Sequence, residues 1–586
     1  MMSRIGVFIC HCGHNIAGTV DVGAAIQQLQ AHPGVAFAVD YKYMCSDPGQ
    51  QLIKDSLARY NLDGVVVAAC SPAMHETTFR RTVAGAGLNP YRCESANIRE
   101  QVSWVHLHDS QAATHKAVAI TRSIIEKVKR NEELEPLSLP LNRRALVIGG
   151  GIAGLQSALD VAEAGYPVVL VEREAALGGR MAQLSGTYLN ISAASGLLSK
   201  KIDQVSCHPL IQVLTNAEVS EVAGYVGNFK VRVARAGNGE TRTAQPASNL
   251  ISPPPTLDFT FEAGAIIVTT GWQPYDRVQL PEYGGVDIPD VLDGLEFERI
   301  LATGGEIRRP SDGQIPREVV FVQCAGSRDR ERGVSYCSKV CCMITAKLAI
   351  LYRQRVPDGQ AYIFYIDIRS AGKGYDEYVQ QAMSGAQALY LRGKVSKIFQ
   401  DGDKVIVWGA DTLSGRAVEI AADLVVLATP MVPSQGSAEL GQRLHISTDA
   451  NGFFNEAHPK LRPVETLTAG IYLAGASQGP KDIPETVAQA SGAAAKALQL
   501  FSHETMITSP LVATVIAELC AACGACISVC PYDARQIHPV WHIATVNAAL
   551  CQSCGACVVA CPNKASQVYN WRPEQLLAMV DEVCLP

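Results

Sequence analysis

Sixteen of the chain's nineteen cysteines fall into four groups of four, and the spacing within each group limits the chemistry it could do. The carboxy-terminal stretch repeats one motif: Cys520-Ala-Ala-Cys523-Gly-Ala-Cys526-Ile-Ser-Val-Cys530-Pro and Cys551-Gln-Ser-Cys554-Gly-Ala-Cys557-Val-Val-Ala-Cys561-Pro. Each is C-x2-C-x2-C-x3-C-P, a run in which three cysteines hold one [4Fe-4S] cluster and the fourth holds its neighbour. Cys520, Cys523, Cys526 and Cys561 therefore read as one ligand set, and Cys551, Cys554, Cys557 and Cys530 as the other. Zinc is the competing reading, and two proline-closed repeats argue against it. Gly524 and Gly555 are expected to let the backbone fold closely around a cluster. Such a module moves single electrons and binds no organic substrate.

The third group, Cys324, Cys337, Cys341 and Cys342, is spaced C-x12-C-x3-C-C. It follows Glu318-Val-Val-Phe-Val-Gln323, which reads as a buried strand, and leads into a helical pattern from Met343 to Arg353. Cys337 and Cys341 stand one helical turn apart and are expected on one face, with Cys324 at the strand end. Four thiolates in one intracellular chain favour metal over a redox dithiol or buried free thiols. The fourth group, Cys10, Cys12, Cys45 and Cys70, has no CxxC spacing, so a cluster and four reduced thiols both stay open, with His11, His14 and His75 as alternative ligands. Cys93, Cys207 and Cys584 read as buried or tail thiols.

The elements that must position these groups can be read from hydrophobic pattern. In residues 1–135, apolar runs at 4–9, 35–39 and 64–69 alternate with helical patterns, as in a small α/β layer. The fourth group then falls at strand carboxyl ends, where ligand sites of such sheets gather. Ser46-Asp-Pro48 and Ser71-Pro72 start helices whose dipoles favour a thiolate or an anionic cluster. Residues 110–130 read as an amphipathic helix and 131–142 as a proline-marked linker.

Arg144 to Ile148 reads as a strand, Gly149-Gly-Gly151-Ile-Ala153-Gly154 as a glycine turn, Leu155 to Ala164 as a helix, and Val168 to Val171 as a strand ending at Glu172. This is GxGxxG in its structural context, with the acid that binds ribose hydroxyls. Gly149 permits the turn, Gly151 lets the backbone approach a pyrophosphate, and Gly154 lets the helix pack on the strand. Gly178-Gly179-Arg180 after the acid, and a later strand from Ala265 ending in Thr270-Gly271, resemble two-domain flavoprotein reductases and favour FAD over NAD. Arg173, Met181, Gly475 and Ala476 complete the candidate contacts. Residues 210–235 alternate like a β-meander. No cysteine lies within 25 residues after the diglycine, which argues against a glutathione-reductase-like dithiol there. Where a second glycine turn would hold NAD(P)H, the chain has the third cysteine group, so electrons rather than hydride are expected at the flavin.

The implied organisation is an α/β multidomain chain. Residues 1–135 form an amino-terminal α/β domain, 143–300 an FAD domain that returns at 433–505, 301–432 a second Rossmann-like domain, 510–570 a ferredoxin domain and 571–586 a tail. The 586 residues, 48% hydrophobic, suffice for three or four cores. A net charge of −6 offers no basic field for nucleic acid. No apolar run reaches the roughly 20 residues of a membrane span, and Ile5 to Ile9 is too short for a signal sequence, so a soluble cytoplasmic protein is expected.

The stretches 9–18 (ICHCGHNIAG), 69–80 (ACSPAMHETTFR), 89–106 (NPYRCESANIREQVSWVH), GGGIAGLQSALD, GGRMAQL, CAGSRDRERGVSYCSKVCCM and 362–375 (YIFYIDIRSAGKGY) together resemble the A-type subunits of heterodisulfide reductase and their relatives in soluble anaerobic electron-transfer complexes. The resemblance covers nearly the whole chain. It implies FAD in a thioredoxin-reductase-like core, a cluster on the third cysteine group, another in the amino-terminal domain and two in the ferredoxin domain. It also implies that Lys347 faces the flavin. The implied partners are B- and C-like subunits of heterodisulfide reductase, hydrogenase- or formate-dehydrogenase-linked subunits, or a benzoyl-CoA-reductase-like enzyme, with ferredoxin as a further partner. The family also sorts electron pairs between high- and low-potential acceptors. Two departures stand out: Asn190 to Ser195 lacks the cysteine many members carry, and Tyr225 to Asp258 lacks the cysteines of an inserted ferredoxin domain. The rival readings are a stand-alone NAD(P)H-dependent flavoprotein linked to ferredoxin, a disulfide reductase, and a scaffold with structural clusters.

Overall fold

The computed structural model describes residues 3–189, 193–235, 257–285 and 287–584. The chain divides into two compact units, residues 140–506 and residues 1–139 together with 507–586. Most of the two segments that depart from the family pattern, 190–192 and 236–256, lies outside the described residues.

Residues 140–506 contain one layout twice. The first parallel sheet has the strand order Ile471–Leu473, Ala265–Val268, Ala145–Ile148, Val168–Val171, Ile211–Leu214. The second has the order Val291–Asp293, Leu424–Leu427, Glu318–Val322, Gln360–Tyr365, Leu389–Arg392. Beside each lies a three-stranded antiparallel sheet, built from residues 217–235 and 257–263 in the first case and 395–422 in the second. The meander expected over 210–235 is therefore split, because Ile211–Leu214 joins the parallel sheet. Parallel strands buried on both faces need unbroken apolar runs, and Val-Val-Leu-Val and Leu-Val-Val-Leu supply them. Ala158, Ala162, Ala490, Ala493, Ala494 and Ala497 are buried in one cluster, so the helices Ile152–Glu163 and Ile483–Phe501 pack closely.

In each sheet the chain leaves the middle strand to one side and later returns on the other. The reversal falls between Ala145–Ile148 and Ala265–Val268 in the first sheet, and between Glu318–Val322 and Leu424–Leu427 in the second. A crevice at such a switch point is where open α/β sheets bind ligands.

The other unit opens with a parallel sheet of order Val35–Tyr41, Ile5–Cys10, Gly64–Ala69, Cys93–Asn97. It has four strands where the hydrophobic pattern shows three, because Cys93-Glu-Ser-Ala-Asn97 carries no apolar run. Its Glu94 is buried against fully buried Lys127 of the helix Ser110–Lys129. The stretch read as a linker contains the strand Leu137–Pro140. The carboxy-terminal region is a pair of short antiparallel ribbons, Ala513–Val515 with Ser566–Val568 and Arg535–Ile537 with Ala544–Val546. The stretch read as a tail forms the helix Pro573–Cys584, tied to the amino-terminal domain where Gln575 Nε2 donates to Arg130 O at 3.1 Å. Among the described residues no helix is long and apolar enough to cross a membrane.

Candidate flavin and iron-sulfur sites

The switch point of the first sheet opens into a cavity of about 920 Å³. Gly149, Gly151, Ala153, Glu172, Arg173, Gly179, Arg180, Met181, Thr270, Gly271, Ala476 and Lys347 all line it. Gly154 and Gly475 stand behind the wall. A methyl on Gly154 would meet Gly149 O at 1.8 Å, and one on Gly475, at φ +72°, would meet Thr486 at 3.0 Å. Glu172 Oε2 accepts from Gly150 N at 2.6 Å and its Oε1 from Glu174 N at 2.8 Å, which holds the carboxylate at the turn. Among the described residues the buried Thr270 Oγ1 lines the cavity without a hydrogen-bond partner, and a methyl on Gly151 would meet nothing within 4 Å. An orphaned hydroxyl and an open backbone are what a bound dinucleotide fits.

Lys347 Nζ donates to Gly186 O at 2.7 Å and pairs with Glu298, both side chains being almost fully buried. Burial lowers the lysine's proton affinity, and Glu298 opposes that shift. At the head of the helix Ile483–Phe501, Asp482 Oδ1 accepts from Glu485 N at 2.8 Å while Oδ2 accepts from Tyr188 at 2.7 Å and Tyr375 at 2.6 Å. Neighbouring Lys481 also lines the cavity, and burial brings its ammonium down to about 8. Neither Glu298 nor Asp482 stands out in the sequence. An acid three residues from both Leu295 and Leu301, on the buried face of the helix Gly294–Ala302, is the available signal for Glu298.

The second switch point holds Cys324, Cys337, Cys341 and Cys342. Cys324 turns off the strand at φ +59°, and the helix begins only at Cys341. The expectation that Cys337 and Cys341 share a helical face therefore fails, because Cys337 lies in the preceding loop, which reverses at Lys339 with φ +62°. The loop still brings the four sulfurs within electrostatic reach of one another. Cys341 lines the flavin cavity, and its Sγ lies 4.0 Å from Thr429 O, just past the strand Leu424–Leu427 across the switch point. Cys342 faces Gln323 and Asp367. Burial, reinforced by the neighbouring sulfurs, pushes the Cys342 thiol up to about 11 and Cys341 further. Bare thiolates are thus disfavoured here, and a multiply charged metal group would offset that cost.

The amino-terminal sheet repeats the plan, with Cys10 and Cys70 ending the two strands that flank its switch point. Cys12 and Cys45 lie within reach of Cys10, and Cys12 within reach of Cys70. The amides of Cys12 and Met44 each donate to Cys10 Sγ at 3.3 Å, and Arg99 Nη1 donates to Cys12 Sγ at 3.2 Å. Donors aimed at sulfur suit an anionic cluster. His11 pairs with Asp40 at 2.6 Å instead, and His75 packs edge-on against Phe79. Cys93 is buried away from solvent in its strand; Cys207 and Cys584 are exposed, so Cys207 is not the core thiol its sequence neighbourhood allows.

In the ferredoxin region the crossed sets come together. Cys520, Cys523, Cys526 and Cys561 surround one cavity of about 20 Å³, and Cys530, Cys551, Cys554 and Cys557 surround another of the same size. Gly524 and Gly555 have φ of +77° and +76° and begin short helices, so the visible requirement there is the turn. The amides of Ala544 and Ala513 donate at 3.3 Å to Cys520 and Cys551.

Among the described residues no three cysteine sulfurs lie within 4.8 Å of one another; the one such group is His32, Glu126 and Glu582. Lys129 and Arg130 also pair with Glu126, which makes that group an ion-pair network. A tetrahedral zinc with Zn–S near 2.3 Å needs its sulfurs about 3.8 Å apart. Among the described residues none of the four cysteine sets brings three sulfurs that close.

Residues 143–322 match the family described as pyridine nucleotide-disulphide oxidoreductase, and residues 514–565 match the 4Fe-4S dicluster domain. The chain is 42% identical to the second of the A-type iron-sulfur subunits of CoB–CoM heterodisulfide reductase from Methanopyrus kandleri, over 91% of each chain. The chain belongs to the family of heterodisulfide reductase A-type subunits. It is 40% identical to the A-type member from Methanothermobacter thermautotrophicus, which belongs to the H2:CoB-CoM heterodisulfide,ferredoxin reductase, over 91% of this chain and 90% of that one. As a heterodisulfide reductase A-type subunit it is an oxidoreductase that joins an FAD core of the pyridine nucleotide-disulphide oxidoreductase family to [4Fe-4S] clusters.

Proposed function

We propose that this subunit passes single electrons between clusters and FAD on behalf of partner subunits that carry out the substrate chemistry. The observation that carries the reading is the helix Cys341–Arg355, which brings Cys341 and Lys347 to the wall of one flavin cavity from a switch point where a nicotinamide dinucleotide would otherwise bind. In this reading the cysteines of all four sets are ligands, and the domain boundaries are those expected from the sequence except that the first part of the FAD domain ends before Val291, because Val291–Asp293 pairs into the second sheet. Lys347, paired with Glu298, faces the reactive side of the flavin and steadies charge gained on reduction. The relative from Methanothermobacter thermautotrophicus belongs to a reductase named for hydrogen, a heterodisulfide and ferredoxin, which supports membership of a multi-subunit complex and the division of electron pairs between acceptors of unequal potential. A cytoplasmic location fits that chemistry. Iron, acid-labile sulfide and flavin analysis of anoxically purified protein tests the reading: four clusters give about 16 Fe per FAD. About 8 Fe would confine clusters to the ferredoxin module, and rapid stoichiometric bleaching of the flavin by NADH or NADPH would favour a stand-alone reductase instead.

A further inference from the structure

The two ferredoxin motifs superpose residue by residue, and their most informative mismatch lies 15 positions after each first cysteine: Arg535 (535 − 520) against Ser566 (566 − 551). Both side chains are almost fully buried. Ser566 lines the cavity of the Cys520/Cys523/Cys526/Cys561 set, where the amides of Asn563, Ala565 and Ser566 and the Ser566 hydroxyl hydrogen-bond Cys561, all neutral contacts. Arg535 lines the cavity of the other set, where its Nη2 donates to Cys557 Sγ at 2.9 Å. Its Nη1 is buried with no hydrogen-bond partner among the described residues. A guanidinium in that state is stable only beside an anion. The cation is also felt at Cys526 in the first set, but only through space.

We propose that Arg535 makes the two clusters unequal, so that the Cys530/Cys551/Cys554/Cys557 site takes an electron before the Cys520/Cys523/Cys526/Cys561 site does. The inference rests on the dicluster reading of this module. Reduction adds one electron and one negative charge to a site, with no bond made or broken. Net charge and hydrogen bonds to sulfur set the potential of such sites, and a charged donor bonds more strongly than a neutral one. A cation bonded to one ligand sulfur therefore favours the reduced form of that site.

The test is an anoxic redox titration of the full chain with dithionite, followed by electron paramagnetic resonance, on the wild type and on Arg535→Ser, which makes the repeats alike. The higher midpoint should fall by about tenfold in the reduction equilibrium, about 59 mV for one electron, and approach the lower. Arg535→Lys, which keeps the charge, should fall by less. Unmoved midpoints in variants that retain their iron would overturn the proposal. If Arg535→Ser loses iron, Ser566→Arg decides: it should raise the midpoint of the other site, and no rise there overturns the proposal. A wild-type module without iron would instead sink the dicluster reading itself.

Discussion

The ferredoxin module and the second parallel sheet both gather four-cysteine sets, but they stand in opposite relation to their sulfurs. In the module the buried cluster is Ala513, Cys526, Ala544, Cys557 and Val568, so two of five core side chains are ligand candidates and the remainder is small. In the second sheet the cysteines sit at the mouth of cores already filled by Val320, Phe321, Ile363, Phe364, Val425 and Val426. One region has cysteines in its core; the other is a finished fold with cysteines at its mouth.

The largest effect that could break this contrast is iron removal. Anoxic chelation should raise hydrogen exchange of residues 513–515, 535–537, 544–546 and 566–568 toward unfolded rates, while 318–322 and 360–365 stay protected. Equal loss in both regions would end the contrast. Next comes the ion pair in the finished fold: Lys347→Met leaves Glu298 buried and uncompensated and should cost about 3–5 kcal/mol in denaturant unfolding, with Lys347→Met/Glu298→Gln recovering most of it. Smaller is Cys341→Ser, which should lose about four iron atoms per chain while retaining FAD and moving the thermal midpoint by no more than about 4 °C. Cys557→Ser, by contrast, should melt the module. Smallest is Cys93→Ala, expected to cost about 1 kcal/mol and leave the iron content unchanged.

The same contrast explains what can be read from sequence. The ferredoxin sets are legible to the pairing of individual ligands because all eight cysteines lie in two short, repeated runs. The flavin turn is legible because strand, glycines, helix and acid occupy the contiguous residues 144–172. The central set is legible as a group but not as a geometry. Its spacing suggests a helix through Cys337, whereas a left-handed residue at Lys339 and a start at Cys341 bring that sulfur in from a loop. The strand Cys93–Asn97 escapes the hydrophobic pattern because its buried Glu94 is stabilised by Lys127, a partner more than thirty residues away. Arg99, Glu298 and Arg535 escape it for a related reason: each is a charged residue whose meaning depends on a sulfur or an ammonium that only the tertiary structure brings near.

The helix Cys341–Arg355 has a mechanical consequence. Cys341 and Lys347 are its first and seventh residues, about 9 Å apart along a rod that does not stretch. A candidate ligand sulfur and a cavity-lining lysine mounted on one rod cannot be adjusted separately from the rod itself: a substitution that tilts it re-aims both. Independent tuning has to come from the bearings on either side, Gln323 beneath Cys342 and Glu298 beside Lys347, each anchored in a different element.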